Sequence, residues 1–269
     1  MTILQAVALG LLQGLTEFLP ISSSGHLVLV PWLLGWQASS LTFDTTVHLG
    51  TLLAVILYFR ADLGLISVGM LRTLRDGNLL DMNGRLGWLV ILGAIPAALL
   101  GLLLEDIFAQ IFSTPALVAG LLLLTGLILF LSERIAQRLR ALESLTWRDS
   151  WWIGLAQAAA IAPGISRSGA TIATGLALGI QREAAARFSF LIALPVILGA
   201  WLVKLQGTVK VGIDQAEMTT LAIGFAVAAL SGYACIHFLL SYLRRRSLIL
   251  FAVYCWVFGL VCLIIALVS

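Results

Sequence analysis

The chain has 269 residues, 61% of them hydrophobic and only 11% charged, with a mean hydropathy of +1.06. Soluble domains carry about 25% charged residues, so the composition excludes one and describes a polytopic membrane protein. The net charge of +3 implies no nucleic acid, because the basic residues fall where membrane topology places them.

In chain order, the start Met-Thr-Ile-Leu-Gln lacks the basic region and the small-residue cleavage site of a secretory signal, so none is expected. Residues 2–19 are apolar, but the run that follows the serines at 22–24, residues 27–36, is about half a span and contains Pro31. Spanning helices, which need about 20 apolar residues, are expected near 43–59, 86–104, 112–131, 188–203, 218–240 and 248–268. Between the third and fourth of these, residues 151–162 and 170–180 form two more short arms around a polar centre. The cysteines Cys235, Cys255 and Cys262 all lie in apolar runs. An odd number there reads as packing residues and not as a disulfide framework.

Thirteen of the sixteen basic residues lie in four segments, 60–85, 132–150, 181–187 and 241–247. The loop at 105–111 has Glu105 and Asp106 and no basic residue, and 204–217 has only Lys204 and Lys210. The positive-inside rule makes the four arginine-bearing segments cytoplasmic and puts both termini outside. Each pair of short arms then begins and ends on one side. The first is expected to be a re-entrant hairpin from outside, the second one from the cytoplasm.

The two hairpins are related. Residues 10–26, "GLLQGLTEFLPISSSGH", align with 154–170, "GLAQAAAIAPGISRSGA", with seven identities in 17 positions, including Gln13/Gln157 and the shared Ser-x-Ser-Gly. Opposite directions of insertion make this an inverted repeat, whose sites lie where half-helices meet near the midplane. The expected fold is therefore an all-α membrane protein with six spanning helices and two re-entrant helical hairpins. Repeat one covers about 1–131 and repeat two about 149–269, joined by a cytoplasmic loop at 132–148.

Irregular backbone at membrane depth survives only where it is buried in protein or lines a wet cavity. The half-helices starting near Gly25 and Gly169 would present free N–H groups to an anion, phosphate above all. Arg167 is the one basic residue that no loop accommodates, and its planar fork matches phosphate oxygens. Glu17 is a second intramembrane charge. It stands four residues after Gln13, on the same helix face. A carboxylate would repel phosphate unless it holds a metal or takes a proton, and the Gln13/Glu17 pair could give two oxygen ligands to Mg²⁺ or Ca²⁺. His26, three residues after Ser23, is an acid/base candidate. His48 and His237 read as structural, and Asp44 as a helix cap. These are the parts needed to hydrolyse a phosphate ester or anhydride.

At these residues the chain resembles the undecaprenyl pyrophosphate phosphatase family, membrane enzymes linked to bacitracin resistance. Its first motif reads "QGLTEFLPISSSGH" here, from Gln13 to His26, and its second reads "PGISRSGAT", from Pro163 to Thr171. "FDTTVHLGTLLAV" at 43–55 and "FSFLIALP" at 188–195 are also similar to family segments. Gln13 stands where many members have Glu, which leaves one fewer anionic ligand. The resemblance implies hydrolysis of undecaprenyl diphosphate to undecaprenyl phosphate and inorganic phosphate, recycling the lipid carrier of peptidoglycan synthesis. It further implies a divalent cation and a site facing the periplasm from the bacterial inner membrane. Glu17, Ser23, His26 and Arg167 would be catalytic. Ser22, Ser24, Gly25, Ser166, Ser168, Gly169 and Thr171 would bind substrate, and Gln13 with Glu17 the metal. Attack by Ser23 and direct attack by water both remain open. The expected partners are the polyprenyl diphosphate and membrane lipid, with no nucleic acid; a homodimer is compatible. A lipid-phosphate transporter or flippase is the alternative that the inverted repeat suggests, and a structural subunit of an envelope machine would leave the two intramembrane charges without purpose.

Overall fold

The computed structural model describes residues 1–77, 81–103, 114–208 and 215–268. The expectations placed on Glu105, Asp106 and Lys210 lie outside these residues, as does the side chain of Lys204. The described chain is helical: α1 Ile3–Phe18, α2 Ser23–Leu33, α3 Leu41–Tyr58, α4 Arg60–Asp76, α5 Met82–Leu103, α6 Pro115–Ile135, α7 Trp147–Ala159, α8 Arg167–Ala177, α9 Arg182–Thr208, α10 Gln215–Leu243 and α11 Ile249–Val268. Among the described residues there is no β-strand, only an isolated bridge between Arg140 and Ile180.

Six helices, α3, α5, α6, α9, α10 and α11, are long and apolar enough to cross a membrane. They correspond one for one to the six apolar runs. The chain is a multi-pass membrane protein, and its surface agrees: on α11, Leu250, Val253, Val257, Leu260 and Ile264 are all exposed, a pattern suited to lipid. The interior is where polarity collects, with Gln13, Glu17, His26, Gln157 and Thr171 all buried.

Four of the five remaining helices, α1, α2, α7 and α8, obey local rules. Thr2 and Gln5 form a capping box that starts α1, and Thr146 with Asp149 forms the same box at α7. Proline stops both: Leu19 and Ala162 precede Pro20 and Pro163 and are thereby disfavoured from helical geometry. Ser22 caps α2 and Ser166 caps α8, each accepting from the amide three residues on. Helices of 16, 11, 13 and 11 residues are about 24, 17, 20 and 17 Å long. Each falls short of the about 30 Å of a hydrocarbon core.

The sequence repeat reappears in three dimensions. α1 and α7 begin 144 residues apart, as do α2 and α8, and the glycines that close the second helix of each pair, Gly35 and Gly179, share positive φ values of 64° and 82°. The packing is reciprocal. A Cβ on Gly10 of α1 would lie 2.8 Å from the Gly224 carbonyl of α10, and one on Gly154 of α7 would lie 2.5 Å from the Gly93 carbonyl of α5. Each half thus inserts its first helix against a long helix of the other at a glycine crossing.

The four arginine-bearing segments are tied to one another at one end of the molecule. Arg182 and Arg138 both pair with the buried Glu133, which also accepts the Leu248 amide. Arg187 pairs with Asp62, Arg244 with Glu183, and Arg85 donates to the Glu143 carbonyl. Segments 60–85, 132–150, 181–187 and 241–247 therefore share one face, as a common membrane side requires.

Candidate functional site

The tips of the two helix pairs pack against each other. A Cβ on Gly25 would lie 3.2 Å from Gly164 Cα, and one on Gly169 would lie 3.4 Å from the Pro20 carbonyl. Positions 25 and 169, and 20 and 164, are repeat equivalents, so each turn leans on the other in the same way. The turns are also laced by hydrogen bonds: Ser168 Oγ donates to the Leu19 carbonyl at 3.2 Å, and Ser22 Oγ to the Ile165 carbonyl at 3.4 Å.

At this junction stands Glu17, near the end of α1 and almost fully buried. Arg167 Nη2 donates to its Oε1 at 3.0 Å, across 150 residues of sequence. Ser23 Oγ donates to its Oε2 at 2.5 Å, and Gln13 Nε2 donates to the same oxygen at 3.0 Å. His48 Nε2 lies 3.7 Å from Oε2. The structure thus gathers Gln13, Glu17, Ser23 and Arg167 in one hydrogen-bonded cluster. The Arg167 and Glu17 side chains retain 15% and 5% of their exposure, against 31% for His48.

Electrostatics explain why this arrangement holds. A buried carboxylate survives only with partners, and Glu17 has a guanidinium, a hydroxyl and an amide. Arg167 also donates to the Ser189 carbonyl of α9 at 3.4 Å. Those contacts use one N–H on each terminal nitrogen, which leaves donors on the fork to spare. Ser189 in turn bonds the Thr171 hydroxyl at 2.6 Å, and Thr171 donates back to the Arg167 carbonyl at 2.8 Å. Thr171 is a support of the arginine's helical turn.

Ser22 is strained. Its φ of 71° is one of two positive values at non-glycine residues among those described, whereas its equivalent Ser166 has φ −74°. Such backbone costs about 1–3 kcal/mol, and of the two repeated turns only the one that carries Ser23 has it. Ser22 and Ser24 hydroxyls lie 3.4 Å apart, Ser166 and Ser168 hydroxyls 3.2 Å apart. The Gly25 and Gly169 amides are already bonded to their capping serines. Helix geometry leaves the amides of Ser23 and Ser24, and of Arg167 and Ser168, as the donors without intrahelical partners.

Two histidines depart from expectation. His26 is buried, with Nδ1 2.7 Å from the Ser22 carbonyl and Nε2 2.7 Å from the Tyr254 hydroxyl. A carbonyl only accepts, so Nδ1 carries the proton and Nε2 receives the tyrosine's. The ring stacks on Tyr254 and Phe258 of α11. The structure does not bring His26 to the Ser23 hydroxyl: Nδ1 is spent on the cap of its own helix and Nε2 on locking α2 to α11. His48, expected to be structural, instead reaches the carboxylate. Its only signal in sequence is its place in "FDTTVHLGTLLAV", one helical turn after Asp44, whose carbonyl bonds His48 Nδ1 at 2.7 Å.

The donor set bears on a cation. Gln13 Oε1 is buried and has no hydrogen-bond partner, an unusual state for an amide oxygen and a fitting one for an oxygen ligand beside a carboxylate. No group of three or more His, Cys, Asp or Glu side chains that could hold a metal occurs among the described residues, so the protein would supply only Gln13 and Glu17, as Mg²⁺ sites with substrate phosphate and water commonly allow.

A six-span helical membrane protein with a buried Glu–Ser–Arg cluster between two repeated turns defines a class, the membrane-embedded enzymes of lipid phosphate chemistry. Residues 6–261 match the family described as bacitracin resistance protein BacA, and the chain belongs to that family. It is 44% identical over 252 residues to an undecaprenyl-diphosphatase of Geobacter metallireducens, covering 93% of both chains. To the undecaprenyl-diphosphatase of Pelotomaculum thermopropionicum it is 44% identical over 266 residues, 99% of this chain and 97% of the other. To that of Halothermothrix orenii it is 43% identical over 269 residues, 99% of each.

Proposed function

We propose that this protein is an undecaprenyl-diphosphate phosphatase in which Ser23 is the nucleophile and Glu17 its base. The observation that carries the reading is the 2.5 Å bond from Ser23 Oγ to Glu17 Oε2, made inside a cluster that also holds a guanidinium. Translocating a lipid phosphate has no use for a serine hydroxyl aimed at a buried carboxylate, whereas a weak nucleophile needs such a base.

The helix pairs α1–α2 and α7–α8 are re-entrant hairpins of an inverted repeat, residues 1–131 and 149–269, in the bacterial inner membrane. The arginine-rich end is cytoplasmic and the reacting phosphate comes from the periplasmic side. The polyprenyl tail stays in lipid. Ser23 Oγ attacks the terminal phosphorus, its proton passes to Glu17, and the bridging P–O bond breaks to release undecaprenyl phosphate. Water then cleaves the phosphoserine, giving inorganic phosphate and restoring the hydroxyl. Arg167 and the amides of 23–24 and 167–168 stabilise the phosphoryl oxygens as charge develops. Gln13 and Glu17 would hold a divalent cation, Mg²⁺ or Ca²⁺, which when bound neutralises phosphate charge. His48 orients the Glu17 carboxylate from α3, and His26 fixes the helix that presents Ser23. Abundant enzyme would regenerate the carrier that bacitracin sequesters as its diphosphate.

The test is phosphate release from undecaprenyl diphosphate by the purified protein, with and without chelator, and with Ser23→Ala. Wild type should release phosphate, chelation should suppress it, and Ser23→Ala should lose at least about 10³-fold in turnover. Acid quench should trap phosphoserine on the wild-type chain. A Ser23→Ala protein with near wild-type turnover refutes the nucleophile.

A further inference from the structure

At the arginine-bearing end, remote from the Glu17 cluster, a cavity of about 430 Å³ opens between the end of α3, the start of α9 and the end of α10. Three arginines line it, Arg60, Arg187 and Arg244, with Tyr58, Tyr233 and His237. His48 precedes Tyr58 by ten residues on α3, so the cavity lies about 15 Å further along that helix.

Its charge is unbalanced. Arg187 pairs with Asp62 and Arg244 with Glu183, but Arg60 has no carboxylate partner among the described residues and donates only to the Leu57 carbonyl at 3.2 Å. Arg187 carries a further vacancy: its Nε is buried and makes no hydrogen bond. An unsatisfied buried guanidinium donor costs free energy unless an acceptor arrives. The Arg187 guanidinium lies 5.8 Å from the centroid of the Phe59 ring, which holds the charge in place.

The cavity's walls say what kind of anion fits. Tyr58 and Tyr233 pack edge to face at 5.3 Å, and the Tyr58 hydroxyl lies 3.4 Å from His237 Nδ1. Aromatic side chains with polar tips at the end of a spanning helix mark the headgroup level of a bilayer. On the same two helices, Ile56 and Leu57 of α3 and Leu230 and Phe238 of α10 are exposed. A free phosphate would make no use of that apolar flank, but acyl chains would lie along it. Basic pockets between spanning helices on the cytoplasmic side are where anionic headgroups bind.

We propose that this cavity binds the phosphate headgroup of an anionic lipid, with Arg60 as its unspent guanidinium and the α3/α10 flank carrying the chains. The proposal rests on the membrane embedding of the chain and not on the phosphatase reading.

Native mass spectrometry of the full-length protein, delipidated and exposed to phosphatidylglycerol or phosphatidylcholine, tests it. Phosphatidylglycerol should be retained in preference. Arg60→Glu should lower that preference about thirtyfold, the scale expected when reversing one basic charge near a lipid surface changes two charge units, while Arg60→Lys keeps most of it. Arg72→Glu, an exposed change on α4 away from the cavity, should leave it unaltered. Phosphate release from a soluble short-chain diphosphate should be unchanged by Arg60→Glu, which separates this site from the reaction. Equal retention of both lipids, or equal losses in Arg60→Glu and Arg72→Glu, overturns the site in favour of a diffuse basic surface. Displacement of phosphatidylglycerol by millimolar inorganic phosphate overturns the lipid assignment in favour of a free-anion site.

Discussion

Arg167 has two tasks, and they can be pulled apart. It neutralises buried Glu17 through the 3.0 Å bond to Oε1 and, in the reaction proposed above, holds phosphate oxygens. Removing one partner of a buried pair leaves an uncompensated charge and costs about 3–5 kcal/mol. Here Ser23 and Gln13 still donate to the carboxylate, so the lower end of that range is expected for Arg167→Ala. Arg167→Lys keeps the charge and should unfold within a few degrees of wild type. It loses the fork that reaches Glu17 and the Ser189 carbonyl at once. Loss of one transition-state donor costs about 10²–10³ in turnover. The Lys variant should therefore be stable and slow, and the Ala variant unstable and slower still. Adding Glu17→Gln to Arg167→Ala removes the orphaned charge and should restore most of the lost stability with no gain in activity. Thermal unfolding in detergent and phosphate release, measured on wild type, Arg167→Ala, Glu17→Gln and the double variant, complete the cycle. If Arg167→Ala is stable and turns over near the wild-type rate, the two turns do not form one phosphate site.

Single cysteines at Asp76 and Glu143, in a chain whose three native cysteines are buried, should react with an impermeant thiol reagent only from the cytoplasmic side; labelling from the periplasm reverses the orientation and the sidedness of the site. Gly154→Val should lower the unfolding temperature sharply, because even a Cβ there would stand 2.5 Å from the Gly93 carbonyl and overpacking costs about 1–3 kcal/mol, whereas Gly64→Val, in open space on α4, should be tolerated.

The sequence by itself determined the spans, the ends of the short helices and the shared side of the arginine segments. These follow from local rules: apolar length, serine and threonine caps, proline stops and the cost of carrying arginine across lipid. It also determined the pairing of Gln13 with Glu17, since a spacing of four puts both on one helix face. The repeat at an offset of 144 brought the two turns into correspondence before any coordinates, because duplicated caps and glycines survive as identical letters. Only the tertiary structure decided partners. It set Arg167 on Glu17, brought His48 to the carboxylate from a helix that reads as an ordinary span, and gave His26 to Tyr254, 228 residues away. A histidine's role depends on what faces its two ring nitrogens. That is fixed by which helices cross and at what rotation, which is a property of packing between distant segments and leaves no period or spacing in the chain.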